Sequence, residues 1–544
     1  MAWHIVKKDL LLLWPLVLFG ALAQWGLFAL VFAMDATPQS PYLRPFAQLG
    51  TAVVFLTIVF TVALGAQQEP IPGTRQDWLV RPIRRRDLLA AKLLFVILAV
   101  HVPMFLGDVV GTMAHGFSLG EALSAGLARD LLIFVTVSLP TLAFAAMTRS
   151  LGQFIAVGIA YFIAVAAITI LLSLAARLAG QEQATNPLAW TGVAWIPQTM
   201  GRIALAAGAV IALLLLYLRR RIALARGVLP GFALLSVIVA LLPWSWIFAL
   251  QQAAAAAPAA PPVTVAFDPA APRYQPGPGE KADDYAAGAG QVQLRGRAAG
   301  DVPAETRARG ARGDVTIYVP LRITGLPAGA RPWADRAAIR LMDPAGQLAF
   351  EGRGDDLKLA PGGLVYVALR LPALVYEQAK DRPLALEVNV SLTVLAPQPI
   401  LTMAALGADA RLPGIGRCTS GRDSDGDEIE LRCVTPGNPP SCLAAALADP
   451  ASGRRNPDVL ICAPNYTPYA TRSFPDVLSR FEIEAPFRER LGPGTYPVGA
   501  DRLAGAQVVL TRYEAAAHLV KRATAGGVRL ADWTASPGGK SLRP

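Results

Sequence analysis

The stretch VLPGFALLSVIVALLPWSWIFALQQAAAAAPAAPP, residues 228–262, divides the chain in two. Residues 228–250 carry no charge. They are long enough to cross a bilayer, whose hydrocarbon core takes about 20 helical residues. The run closes on Trp244, Trp246 and Phe248, and Trp and Tyr rings favour the headgroup level. Residues 251–262 are a low-complexity Ala/Pro linker, semi-rigid in character. On its N-terminal side, residues 1–250 hold 17 Lys+Arg and 9 Asp+Glu, while the rest of the chain holds 33 and 30. For all 544 residues the charged fraction is 16% and the hydrophobic fraction 53%, against roughly 25% charge in a soluble domain. These values exclude a disordered chain and a wholly soluble one. The net charge of +11 does not indicate a nucleic-acid partner, because most of the excess lies in the apolar part.

Six more apolar stretches precede this one: 10–34, 46–66, 90–114, 131–148, 151–176 and 203–218. Lys92 and Asp108 lie near the ends of the third and are expected to reach toward the interfaces. The fold class expected is an α-helical polytopic membrane domain of seven spans over residues 1–250, followed by a mostly β, sandwich-like extracytoplasmic domain. With the N-terminus in the cytoplasm, the inner segments hold Lys7, Lys8, Arg75, Arg81, Arg84, Arg85, Arg86, Lys92, Arg149, Arg219, Arg220, Arg221 and Arg226. The outer segments hold only Arg44, Arg129, Arg177 and Arg202. This is a positive-inside bias. It places the protein in the cytoplasmic (inner) membrane, and the odd number of spans puts the C-terminal domain in the periplasm or outside the cell. The first apolar stretch is too long for a cleavable signal peptide. All four cysteines, Cys418, Cys433, Cys442 and Cys462, lie in the part assigned outside, where disulfides persist. The short-loop pairing, 418–433 and 442–462, is the expected one of three; four free thiols in a cytoplasmic domain are the rival reading.

Residues 2–9 read as a short amphipathic lead-in on the inner surface. VTIYVPLRIT, GLVYVALRL and LALEVNVSLTVL are β-rich with partial alternation and turn residues between them. Residues 263–400 are therefore expected to form the sandwich. Residues 401–544 would be a Cys-containing second lobe, with a helix near Ala515–Ala523.

Catalytic motifs are weak. Gly116-Phe-Ser118-Leu-Gly120 matches G-x-S-x-G, with His115 just before it, but it falls in a short loop between spans instead of a strand–turn–helix. Gly539-Lys540-Ser541 lacks the first glycine of a Walker A loop, since position 534 is Thr534. The chain is thus not expected to be an enzyme, nor to hydrolyse ATP itself. Asp423, Asp425 and Asp427 alternate between two cysteines and offer oxygen ligands of the kind calcium takes. The Gly426 position does not fit an EF-hand loop, and a solvated acidic turn explains the same residues. His101, beside Pro103, is an ionisable group inside a span and hence a functional candidate; a neutral His packed against a neighbouring helix is the plainer reading. Asp108 reads as interfacial.

The loop 67–89 is basic and broken by Pro70, Pro72 and Gly73. A short helix can form over residues 74–80 before Pro82 ends it. Gln76, Asp77 and Trp78, followed by Arg81, Arg84 and Arg85, have the make-up of a docking surface, although the arginines alone also serve as inside anchors.

The run PGTRQDWLVRPIRRRDLLAAK, Pro72–Lys92, resembles the first cytoplasmic loop of ABC transporter permeases of the type-two exporter class. There an R-P-[IV]-x-R stretch, a leucine pair and a lysine lead into the third span. The opening WHIVKKDL resembles the interfacial helix of the same family, and the resemblance covers about residues 1–226. It implies that residues 74–80 are a coupling helix touching a separate ATP-binding-cassette ATPase subunit, which carries the ATP and magnesium. It also implies a second permease copy or homologue, and a re-entrant outer segment over residues 180–200. The seventh span and the large C-terminal domain depart from the six-span members. The competing reading is a membrane-anchored periplasmic binding or sensor module without transport; a membrane enzyme with its active site outside is a third.

Overall fold

A computed structural model describes residues 1–36, 43–68, 84–178, 195–254, 262–274, 314–354, 356–360, 363–422, 428–436, 440, 442–451, 453–455, 459–462, 477–486, 488–491, 494–497 and 505–534. Seven of its helices are long and apolar enough to cross a membrane, and the chain is a multi-pass membrane protein. They are α1 (Ala2–Ala36), α2 (Leu43–Gln67), α3 (Arg85–Ala114), α4 (Leu119–Ala146), α5 (Leu151–Leu178), α6 (Trp195–Tyr217) and α7 (Ile222–Ala240).

Several boundaries differ from expectation. The lead-in 2–9 is not a separate surface helix. It continues into α1, because Ile5, Val6 and Asp9 are buried against the bundle. The fourth span begins at Leu119, not 131, because Arg129 and Asp130 are paired inside it. The sixth span begins at Trp195, so residues 195–200 of the expected re-entrant segment are regular helix. The last stretch, 228–250, is two helices: α7 stops at Ala240, and α8 (Trp244–Ala254) starts after Pro243. Proline lacks an N–H and fits the start of a helix better than its interior.

The bundle core joins α1 to α4 with α6 and α7 and takes Phe154 from the start of α5, and close helix approach is set by small residues. A side chain at Gly65 of α2 would meet the ring of Phe95 at 2.4 Å, and one at Gly111 of α3 would meet Phe28 at 2.2 Å. Phe95 is fully buried and has little room to move away. The most apolar window of α5 is wholly unburied, as suits a span facing lipid.

The C-terminal part is built of antiparallel sheets. In chain order the strands are β1 (Thr264–Phe267), β2 (Asp314–Thr324), β3 (Arg331–Met342), β4 (Leu348–Gly354), β5 (Asp356–Ala360), β6 (Leu364–Pro372), β7 (Leu384–Ala404), β8 (Asp409–Leu412), β9 (Gly416–Arg422), β10 (Glu428–Pro436), β11 (Cys442–Asp449), β12 (Arg454–Arg455), β13 (Val459–Cys462), β14 (Leu478–Pro486), β15 (Arg488–Leu491), β16 (Gly494–Pro497) and β17 (Gln507–Val528). One sheet runs β12-β11-β17-β7-β3-β4, with β13 beside β11. Its two long strands, β7 and β17, pair along nearly their whole lengths. The sheet β1-β2-β6-β5 covers one end of this spine, and β14-β10-β9-β8 covers the other. The two sandwich cores therefore share a sheet, and the boundary expected at residue 400 falls inside β7. Residues Ala515–Ala523 are not a helix. They lie in β17, where pairing with β7 from Leu386 to Ala404 overrides an alanine-rich preference for helix.

Candidate functional site

The bundle has two unlike ends. At one, three helix junctions meet. Arg84 precedes α3, and Arg85 Nη1 donates to the carbonyl of Leu218, beyond the end of α6, at 3.0 Å. Arg226 Nη2 donates to the Met147 carbonyl at 3.3 Å. Arg84, Arg85, Arg86, Arg149, Arg219, Arg220 and Arg221 are exposed there, and Arg220 takes the left-handed conformation (φ 54°) that turns the chain into α7. Lys7 and Lys8, at the start of α1, are exposed as well.

The β region sits on the other end. Arg417 Nη1 donates to the carbonyl of His115, between α3 and α4, at 3.2 Å. Arg411 forms an ion pair with Glu121 of α4. Phe117 packs with Val434, Val477 and Leu478, and the Phe248 ring of α8 meets His518 edge-on at 6.1 Å. Asp409 grips Arg417 at 2.8 and 2.6 Å. These bonds to the guanidinium hold the Asp409 carboxyl below the usual carboxylate range.

Of the residues expected to dock a partner, Arg84 and Arg85 stand exposed on the basic end, while Gln76, Asp77, Trp78 and Arg81 lie outside the described residues. Asp423, Asp425 and Asp427 lie outside them too. Cys418 and Cys433 form a disulfide between facing positions of β9 and β10. Cys442 is disulfide-bonded as well, and the register of β11 and β13 sets it opposite Cys462. Ser118 caps α4: its hydroxyl donates to Glu121, whose N–H returns a bond at 3.4 Å. That capping box accounts for the serine of the G-x-S-x-G match, and Gly116 takes a left-handed conformation (φ 83°) just before it.

The bundle interior holds polar groups that charge patterning alone did not pair. Lys92 does not reach for an interface. It is 1% exposed and bonds the fully buried Asp9 of α1 at 2.8 Å. Asp108, six residues from the β-region end of α3, is paired: Arg129 holds both its oxygens, at 2.5 and 2.6 Å. His101 lies between α3 and α4, with Nδ1 2.7 Å from Asp130 Oδ1 and Nε2 2.9 Å from Ser138 Oγ. His101 is 3% and Ser138 0% exposed. Each of these two residues ends a π-helical turn, Ile97–His101 in α3 and Phe134–Ser138 in α4. The cause is legible in the sequence: Pro103 and Pro140 each stand two positions later. A proline ring crowds the carbonyl four residues back and removes a donor. The N–H groups of Val102 and Leu139 bond five residues back, to Ile97 and Phe134. The matched H-V-P and S-L-P tripeptides were the signal for Ser138 as the partner of His101.

The order Asp130–His101–Ser138 is that of a nucleophilic serine site. A fully buried hydroxyl within a helix gives an acyl substrate no approach, so the arrangement is suited to holding a proton. Among the described residues no cluster of His, Cys, Asp and Glu is placed to hold a metal. No family model, curated protein or solved structure matches this chain.

Proposed function

We propose that this chain is the membrane-spanning permease subunit of an ATP-binding-cassette transporter, paired with a separate ATPase subunit and a second permease copy or homologue. In this reading the basic end lies in the cytoplasm, the protein resides in the cytoplasmic membrane, and the β region lies outside. The observation that carries it is the exposed arginine-bearing end, assembled from the junctions at 84–86, 149 and 219–221 and facing away from the β region. Arginine can grip carboxylates with two parallel bonds, which suits a protein contact. The run Pro72–Lys92 resembles the coupling loop of such permeases, and its described part begins at Arg84, on the same end.

The mechanical consequence follows from α3. Its 30 residues span about 45 Å, from Arg85 at the basic end to Ala114 beside the β region. Asp9–Lys92 ties α1 to α3, so a push from the ATPases moves the two as a unit. Backbone groups in lipid must stay bonded, which favours rigid-body tilting over local unwinding. The displacement reaches His115 and Phe117, where the β region is seated.

The test is purification from native membranes in mild detergent. A P-loop ATPase is expected with the wild-type chain, and its recovery should fall at least severalfold with Arg84→Glu plus Arg86→Glu. Recovery unchanged by the double reversal would sink the docking assignment. An intact chain with no ATPase bound would favour the anchored binding module.

A further inference from the structure

We propose that His101, Asp130 and Ser138 form a proton-binding site inside the bundle, and that loading it with one proton alters how α3 and α4 pack. The inference goes beyond the transporter reading and does not depend on it. Its first support is placement. The three groups meet at 2.7 and 2.9 Å, at paired π turns on facing helices. Single π turns inside α-helices are frequent at functional sites. Buried ionisable groups in spans are costly and mark functional paths.

Charge is the second support. The described charged groups on the packed elements can be named: Arg85, Arg86, Asp87 and Glu121 lie in the first turns of α3 and α4, away from the two π turns. On α3 and α4, Asp108 and Arg129 neutralise each other, which leaves Asp130 facing His101. From α1 and α2, which also pack on the turn at 97–101, the described charges are Lys7, Lys8 and Asp9. All three lie at the basic end, and Asp9 is joined to Lys92, nine residues before His101. From α6, exposed Arg202 lines a cleft with Leu132 and Thr136. With imidazole neutral, the His101–Asp130 pair carries one excess negative charge in a low-dielectric interior. One added proton removes it.

The bonding changes with the load. When the site is full, Nδ1–H donates to Asp130 and Nε2–H donates to the Ser138 hydroxyl oxygen. When the proton leaves Nε2, that nitrogen becomes an acceptor and the Ser138 hydroxyl turns its own proton toward it. No other bond breaks. Ser138 ends the turn at which helical register is already displaced from four residues to five, so the reversal acts at the seam where α4 meets His101 of α3. A cleft of about 370 Å³ between α4, α6 and α7 is lined by Thr136, Gln198, Arg202 and Ser236, and Thr136 belongs to the same π turn as Ser138.

The experiment uses the full chain, ¹⁵N-labelled at histidine, in phosphatidylcholine nanodiscs. Its four histidines, His4, His101, His115 and His518, give separable imidazole signals, and His101→Gln identifies the one in question. The signal is followed from about pH 8 to about pH 5, and a site that loads one proton should show two forms of it, with one and with both ring nitrogens protonated. Asp130→Asn should change how that signal responds, because the carboxylate bonded to Nδ1 is gone. Should His101→Gln not fold, the single histidine displaced by Asp130→Asn makes the same assignment. A His101 signal that stays in one form throughout the range would overturn the proposal, as would a transition identical in Asp130→Asn. A fluorophosphonate adduct on Ser138 would overturn it too, in favour of a nucleophilic site.

Discussion

Replacing Asp9 by Asn leaves the Lys92 ammonium in the bundle interior without its carboxylate. Both side chains are almost completely shielded and 2.8 Å apart. Lys92 lies seven residues into α3, about 10 Å along the helix from Arg85, among the apolar residues of the bundle core. Removing one partner of such a pair costs about 3–5 kcal/mol, because the remaining charge stays buried. At about 1.4 kcal/mol per decade, the lower figure is a loss of roughly 150-fold in the folded-to-unfolded ratio. Lys8 sits 3.4 Å from the other Asp9 oxygen, but it is half exposed and adds little. Replacing both partners by apolar residues of similar size, Asp9→Leu with Lys92→Met, is expected to recover most of the loss, since no charge is then stranded. The assay is a double-mutant cycle on reversible unfolding in mild detergent. If the singles are as stable as wild type, or if the double variant loses the sum of the two, Asp9 and Lys92 do not act as a buried pair and the tie between α1 and α3 is wrong.

Two further outcomes are expected in the β region. Cys418→Ala with Cys433→Ala opens a 15-residue loop and should cost about 3 kcal/mol, read as a lower denaturant midpoint; an unchanged midpoint would count against the bond. Burial pushes the His518 imidazole below its ordinary value, and it bonds Thr393 Oγ1 at 3.0 Å. The folded state therefore binds this proton less readily than the unfolded one. The stability it supports is full above about pH 6.5 and falls as pH drops from there toward the depressed folded value. Thermal melts from pH 8 to 5 should show that loss, and His518→Gln should flatten it.

Much of the fold was legible in hydropathy, because lipid imposes a length and a polarity on every span. The errors have one physical source. Charge was read as marking the edge of a span, whereas Lys92, Asp108, Arg129 and Asp130 are inside spans and paired there. A sequence shows that a charge is present but not what lies across the helix interface, so the fourth span was placed too short. The first helix fooled the eye in the same way: Asp9 looked like a surface residue of a lead-in until Lys92 was set against it. In the β region the short-loop disulfide Cys418–Cys433 follows from spacing, while Ala515–Ala523 reads as helix. That segment is alanine-rich with a bulge between Ala515 and Ala517, so its alternation is broken and only its pairing with β7 makes it a strand. Arg84 and Arg85 are legible in the sequence as basic residues flanking a span, and the structure sets both exposed on one end of the bundle. The His101 site was half found: the histidine stood out, but its partners lie 29 and 37 residues away, beyond any local pattern except the repeated proline.

Sidedness tests the account most directly. The four native cysteines offer no competing thiol among the described residues, so single cysteines can be introduced at Arg86 on the basic end and at Val520, which is exposed in the β region. In intact cells a membrane-impermeant maleimide should label Val520→Cys at once and Arg86→Cys only after permeabilisation. Labelling of both from the same side would contradict the two-ended arrangement, and with it the docking of a cytoplasmic motor on the arginines.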